Sequence, residues 1–141
     1  MNMDKLLLDL TLKDDKKAYE SLKKIIAISF NSNEYYKHLD YFASLLTDEK
    51  SYIRTRAFLL ICAQAKWDKE NKISDLLPLM STLLNDPKPT VVRQSLKALK
   101  EVIAYKPELH KEIKKYLSKI DISKYKDSMS PLIQKDIEEL L

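Results

Sequence analysis

The 141-residue chain contains no glycine. An α/β or all-β fold of this length normally needs glycine for tight turns, bulges and close backbone approach. The glycine-rich phosphate loops of nucleotide-binding folds are excluded for the same reason, because their backbone must come close to the phosphates. Helical hairpins manage without it, since Asn can take the left-handed position at a helix end. Asn31, Asn33, Asn71 and Asn85 stand where helix ends are expected. Cysteine is nearly absent as well. Cys62 is the single thiol, which excludes an internal disulfide and, because a cluster needs about four ligands, an iron–sulfur centre. A reducing compartment is the expectation. Long apolar runs are also missing, and the opening "MNMDKLLLDLTLKDD" is too short and too acidic for a signal peptide, so cytoplasmic residence without membrane contact is expected. Arginine, finally, accounts for only three of 25 basic residues. Lysine is the poorer partner for phosphate, so this composition argues weakly for nucleic acid.

What is present is a chain 45% apolar and 33% charged, the balance of a folded domain with a densely charged exterior. No linker rich in Pro, Gly or Ser divides it, so residues 1–141 read as one domain. Apolar residues recur at three- and four-residue spacing almost throughout, which predicts an all-α fold. Residues 2–10 form a short amphipathic start. Asp14 or Asp15 then caps a helix with Ala18, Leu22, Ile25, Ile26 and Phe30 on its buried side. A helix with Tyr35, Leu39, Phe42, Leu45 and Leu46 inward follows, and next one with Ile53, Ala57, Leu60 and Ile61 inward. The segment from Ile73 to Leu84 is helical with Pro78 inside it, where the missing N–H should kink it. Thr90 is placed to cap the helix that buries Val92, Leu96, Leu99, Val102 and Ile103. Pro107 opens the next helix, and Ser130 caps the last, with Pro131 in its first turn.

Two stretches repeat. "LTDEKSYIRTRAFLLICA" aligns with "LNDPKPTVVRQSLKALKEVI" at an offset of 38 to 39 residues, pairing Leu46 with Leu84, Asp48 with Asp86 and Arg54 with Arg93. "LKDDKKAYESLKKIIA" is a degenerate third copy with Glu20 at the arginine position. In this Leu-turn-Asp then Val-Arg pattern the chain resembles the HEAT-repeat family over residues 12 to 117, and as a whole it resembles small HEAT-repeat proteins of low-GC bacteria. The resemblance implies a short right-handed α-α superhelix of about three helical hairpins with terminal capping helices. It also implies that Arg54 and Arg93 brace turn carboxylates of their own or a neighbouring repeat, here Asp48 and Asp86. Second helices would line a concave face, with Thr55, Phe58 and Cys62 of one beside Gln94, Lys97 and Glu101 of the next.

No set of residues amounts to an active site, and no cofactor or metal is expected. His38 and His110 are far apart and lack metal-ligand spacing. Trp67–Asp68 invites comparison with the HEAT-like alkylpurine DNA glycosylases, whose catalytic constellation does not map onto this chain. A tryptophan closing a hairpin is the plainer reading. The expected function is therefore a non-enzymatic interaction module that holds a partner protein or peptide on its concave face. Arg56 (Ser95 in the next copy), Phe58, Gln94 and Lys97 are the candidate contacts, Phe58 being an aromatic anchor if it stands on the outer stripe and equally core if the helix is rotated by one residue. Few repeats make a short groove, so a modest interface or weak self-association is expected. The alternative is nucleic-acid binding through residues 88–126, where eleven basic residues stand against four acids. It requires Arg93, Lys97, Lys100 and the Lys23–Lys24 pair to converge on one face.

Overall fold

In the computed structural model, which describes residues 3–13 and 15–141 (residues 3 and 4 by backbone only), the chain is all-helical, as its apolar spacing predicts, with no strand among the described residues. Among the described residues eight α-helices run in order: α1 Met3–Asp9, α2 Asp15–Asn31, α3 Leu39–Ser44, α4 Ser51–Ala63, α5 Lys72–Met80, α6 Pro89–Tyr105, α7 His110–Leu117 and α8 Ser130–Glu138. The Asp14 cap expected before α2 lies outside the described residues.

The even-numbered helices lie side by side, α2 against α4, α4 against α6 and α6 against α8. Helix α2 also packs on α1, α4 on α3 and the 3-10 turn after it, and α6 on the 3-10 turn that follows α5, so each of these helices pairs with the segment that precedes it. One apolar core runs between the two rows from Leu6 to Leu140. The odd-numbered row is short and ends in 3-10 turns, Leu45–Thr47 after α3 and Ser81–Asn85 after α5. Pro78 lies inside α5 and withholds the hydrogen bond that Ser74 would otherwise accept, two residues before α5 gives way to the Ser81–Asn85 turn.

Helix α4 sits at the centre, flanked by α2 and α6 and backed by α3, and its apolar residues occur all round its circumference. This corrects the place given to Phe58. The ring is 0% exposed, and it meets Leu77, Met80 and Leu99 inside the core instead of standing on an outer stripe. Thr55 and Cys62, assigned to that stripe with it, are buried too. Burial pushes the Cys62 thiol far up, so the thiolate is suppressed.

Turns without glycine use aspartate. The Asp48 and Asp86 carboxylates accept the backbone N–H of Lys50 at 2.9 Å and of Lys88 at 3.0 Å, and Asp121 accepts that of Ser123 at 3.1 Å. Of the asparagines expected at left-handed positions only Asn71 has positive φ, 59°, and it precedes α5 instead of ending a helix. Two expected caps are also corrected. Helix α6 begins at Pro89 after Lys88, with no capping bond from Thr90, and the Ser130 hydroxyl donates backward to the Ile122 carbonyl at 2.7 Å instead of capping α8.

All three arginines tie neighbouring pairs together. Arg54 donates from Nε and Nη2 to Asp86 at 3.1 and 2.7 Å, and from Nη1 to the Asp48 carbonyl at 3.1 Å, so it grips its own turn by the backbone and the next by the carboxylate. Arg93 reaches neither Asp48 nor Asp86. It pairs with Asp136 of α8 at 2.7 and 3.3 Å. Arg56, the expected surface contact, is 7% exposed. Its Nη1 donates to the Leu10 and Leu12 carbonyls, both at 2.9 Å, and its Nη2 to Asp15 at 3.1 Å, which fastens the α1–α2 turn to α4.

Two outcomes check this frame. Phe58→Ala lowers the unfolding free energy by about 3–5 kcal/mol in chemical denaturation, whereas an exposed anchor would cost under about 0.5 kcal/mol. Arg54→Ala costs about 3 kcal/mol, because it strands the nearly buried Asp86 carboxylate; Asp86→Ala added to it costs little more.

Candidate partner-binding groove

Three helices leave a channel between them on the face away from the odd-numbered row. Its floor is α4, one wall is α2 and the other is α6. Three adjoining hollows of about 490, 320 and 120 Å³ follow one another along it. Leu59 and Gln94 border both the first and the second, and Ile26, Ala63 and Glu101 border both the second and the third. From Tyr52 to Ala63 the floor is about 17 Å long at the helical rise per residue.

The channel exists because residues facing it are either small or held at the wrong height to fill it. Ala63 and Ala98 lie on facing helices where larger side chains would meet. On α2 the core-facing stripe is Ala18, Leu22, Ile25 and Ser29, so Tyr19, Ile26 and Phe30 fall one step round the helix toward the channel. This corrects the sequence reading of Phe30 as core: it is 62% exposed. Ser29 takes the buried place because its hydroxyl accepts from Gln64 Nε2 at 2.9 Å and its carbonyl from Trp67 Nε1 at 2.7 Å. Trp67, half-buried, thus closes its hairpin against α2. Tyr19 and Tyr105 are the other large exposed rings on the walls, 58% and 43% exposed.

Of the four residues assigned to the binding face by sequence, Gln94 and Lys97 are exposed on the walls of these hollows. Gln94 borders the first two hollows and Lys97 the second, both exposed. Arg56 and Phe58 do not offer free groups. Arg56 reaches the edge of the first hollow, but its donors are engaged with the α1–α2 turn. The residues that sequence reasoning missed are Tyr19, Phe30, Lys66 and Tyr105. For the three rings the signal was an aromatic residue beside the core stripe, not on it; for Lys66 the sequence carried none.

The basic residues do not converge. Arg93 faces Asp136 and Lys100 faces Glu139 at 3.3 Å, both toward α8. Lys24 borders a notch between α1 and α2, Lys23 lies over the Tyr19 ring, and Lys111, Lys114 and Lys115 are on α7 in the other row. Lys106 is buried. Its ammonium donates to the Asp68 carbonyl at 2.6 Å and to Asn71 Oδ1 at 2.7 Å, and lies 3.3 Å from the Asp68 carboxylate. That carboxylate also accepts from Tyr36 Oη at 2.7 Å and from the Lys72 and Ile73 backbone N–H groups, both at 2.9 Å. Asp68 is thus enclosed as the cap of α5, with every near donor facing inward.

Among the described residues no group of three or more His, Cys, Asp or Glu is placed to hold a metal ion, and no helix is long and apolar enough to cross a membrane. Comparisons with protein-family models, with curated proteins and with solved structures gave no match to this chain.

Burial raises the Asp68 pKa, but the bonds from Tyr36, Ile73 and Lys72 and the charge of Lys106 outweigh it and hold the carboxyl below its usual value. A folded-state pKa below the unfolded one gives stability that is complete above about pH 4 and is lost as pH falls through the folded value. Thermal unfolding followed from pH 6 downward should show this acid loss in the wild type and a shallower one in Asp68→Asn, which is also less stable at neutral pH. An equal slope in both would refute the assignment.

Proposed function

We propose that the chain is a non-enzymatic interaction module of the HEAT-repeat type, a short right-handed α-α superhelix of stacked hairpins that binds a segment of a partner protein in the α2–α4–α6 groove. The continuous groove, with an apolar floor and exposed rings along its walls, is the observation that carries this reading. A stretch of about 17 Å suits three turns of helix or an extended segment of about five residues. Repeat architecture is supported by the Asp and Arg positions recurring at 38 to 39 residues, by the side-by-side order of the even-numbered helices and by an arginine tie at each junction. The cytoplasm, where the lone thiol stays reduced, is part of the same reading.

Enzyme chemistry has little to work with in this arrangement. The groove holds no histidine, its cysteine is buried, and the tryptophan–aspartate pair is occupied in closing a hairpin and capping α5. Nucleic-acid binding is disfavoured by the scatter of the lysines and by the engagement of every arginine with a carboxylate.

Peptides selected from a displayed random library against the immobilised protein provide the test, with their contact surface mapped by amide chemical shifts. Shifts should cluster on Tyr19, Leu59, Gln94, Lys97 and Ala98. Gln94→Trp, which fills the middle of the groove from an exposed position, should weaken binding at least about ten-fold. Shifts elsewhere, or unchanged affinity in Gln94→Trp, would sink the reading. In parallel, titration with DNA and RNA at two salt concentrations should show no binding at low salt; a steep salt-dependent affinity would favour the nucleic-acid alternative.

A further inference from the structure

We infer that the end of the groove beside the α4 C-terminus is its anchor subsite, and that it takes an aromatic side chain carried next to a carboxylate, so that the partner segment is acidic and aromatic. This rests on the groove being the binding face and goes further by naming what fills it.

Phe30, at the end of α2, and Tyr105, at the end of α6, stand on opposite walls of the smallest hollow, with Ala63 between them on its floor. Both rings are exposed to water, although each helix has a buried stripe for apolar side chains. Two exposed rings bracketing a concavity of about 120 Å³ suit a third ring, which would gain burial and edge or offset contacts from both sides. Lys66 lies at the same place. Its ammonium is 4.9 Å from the centre of the Phe30 ring, 5.4 Å from Trp67 and 5.8 Å from Tyr105. One of its three protons goes to the Phe30 carbonyl at 2.8 Å. That bond and the rings fix the ammonium at the rim, and no carboxylate among the described residues forms an ion pair with it. Two of its protons are left to meet a carboxylate that enters.

Charge selects the neighbour of the ring. Four cations border the three hollows, Lys16, Arg56, Lys66 and Lys97, against two carboxylates, Asp15 and Glu101. Asp15 already pairs with Arg56. A segment with Asp or Glu beside its aromatic residue therefore meets Lys66 and Lys97, and a basic segment meets repulsion. A stacked nucleobase would satisfy the rings equally. Glu101 opposes negative charge on either ligand, and Lys66 and Lys97 outnumber it; what tells against the nucleic acid is that the groove's one arginine, Arg56, has its fork engaged and cannot receive phosphates.

The test is fluorescence anisotropy with labelled synthetic peptides: one with Phe flanked by Glu, a second with that Phe changed to Ala, a third with Glu changed to Lys, and an oligo-dT strand. The first should bind, and the second and third at least about ten-fold more weakly. Phe30→Ala, Tyr105→Ala and Lys66→Glu should each weaken the first peptide at least about ten-fold with unchanged thermal unfolding, while Tyr19→Ala at the far end has a smaller effect. Absence of binding by the first peptide, equal binding of the Glu and Lys peptides, tighter binding of oligo-dT, or indifference to all three anchor variants overturns the anchor. If Gln94→Trp abolishes peptide binding while the anchor variants do not, the groove stands and the anchor falls. If none of the four variants matters, both fall.

Discussion

Everything in this structure depends on joining helical pairs that cannot each bury their own apolar side. A pair offers one greasy face to each neighbour, and the stack holds only if every junction is fixed in distance and register. The junctions are fixed at both ends. On one side the three arginines bind the α1–α2 turn, Asp86 and Asp136 in succession. On the other, Gln64 and Trp67 hold Ser29 and Lys106 holds Asp68 and Asn71, while His110 at the start of α7 meets the Leu140 carbonyl just after α8 at 2.7 Å. The aspartates at 5% and 6% exposure are the sensitive members, because a carboxylate so enclosed is tolerable only while its guanidinium is present.

The same junctions create the groove. With α2, α4 and α6 held at fixed separation, the surface between them is set by which side chains point outward from three parallel rows. Small residues at Ala63 and Ala98 leave the space open, and rings at the helix ends rise above it. Glycine is not needed in the turns after α3, α5 and α7 because each is closed by an aspartate accepting a backbone N–H two residues on, and Arg54 uses two of those turns as its grip. Turn chemistry and inter-pair adhesion are thus carried by the same few residues.

The helices were legible in the sequence, since a period of three to four residues survives nearly everywhere, and so were the turn aspartates. Rotation of the helices about their own axes was not. Helix α4 is apolar all round, so periodicity could not decide whether Phe58 or Leu59 faced out. On α2 spacing places Phe30 with the core, but Ser29 takes the buried position, and the bonds that hold it there come from Gln64 and Trp67, some 35 to 38 residues later. Arg56 was misjudged because it has no counterpart in the next copy. It binds a turn that exists only at the first junction, so lack of repetition signalled a special structural role, not recognition. Asp136 lies outside the repeated segment and could not be named as the partner of Arg93 from the alignment of copies.

Scarcity of arginine therefore has a positive meaning. All three are consumed by the stack, which leaves the groove lined by lysines and aromatic rings, the groups that the proposed binding would use. Lysine ammoniums are strongly hydrated point charges without a preset fork, so they confer preference for acidic partners more than a fixed geometry. Geometry must come from the apolar part, the rings and the small residues between them, which is where shape complementarity is won. A surface of this kind discriminates by one well-seated ring and a charge sign, and its short length caps the number of such contacts. Affinity would then rise mainly by presenting several copies of the groove or the segment together, since linked modest contacts strengthen one another without any change in the groove itself.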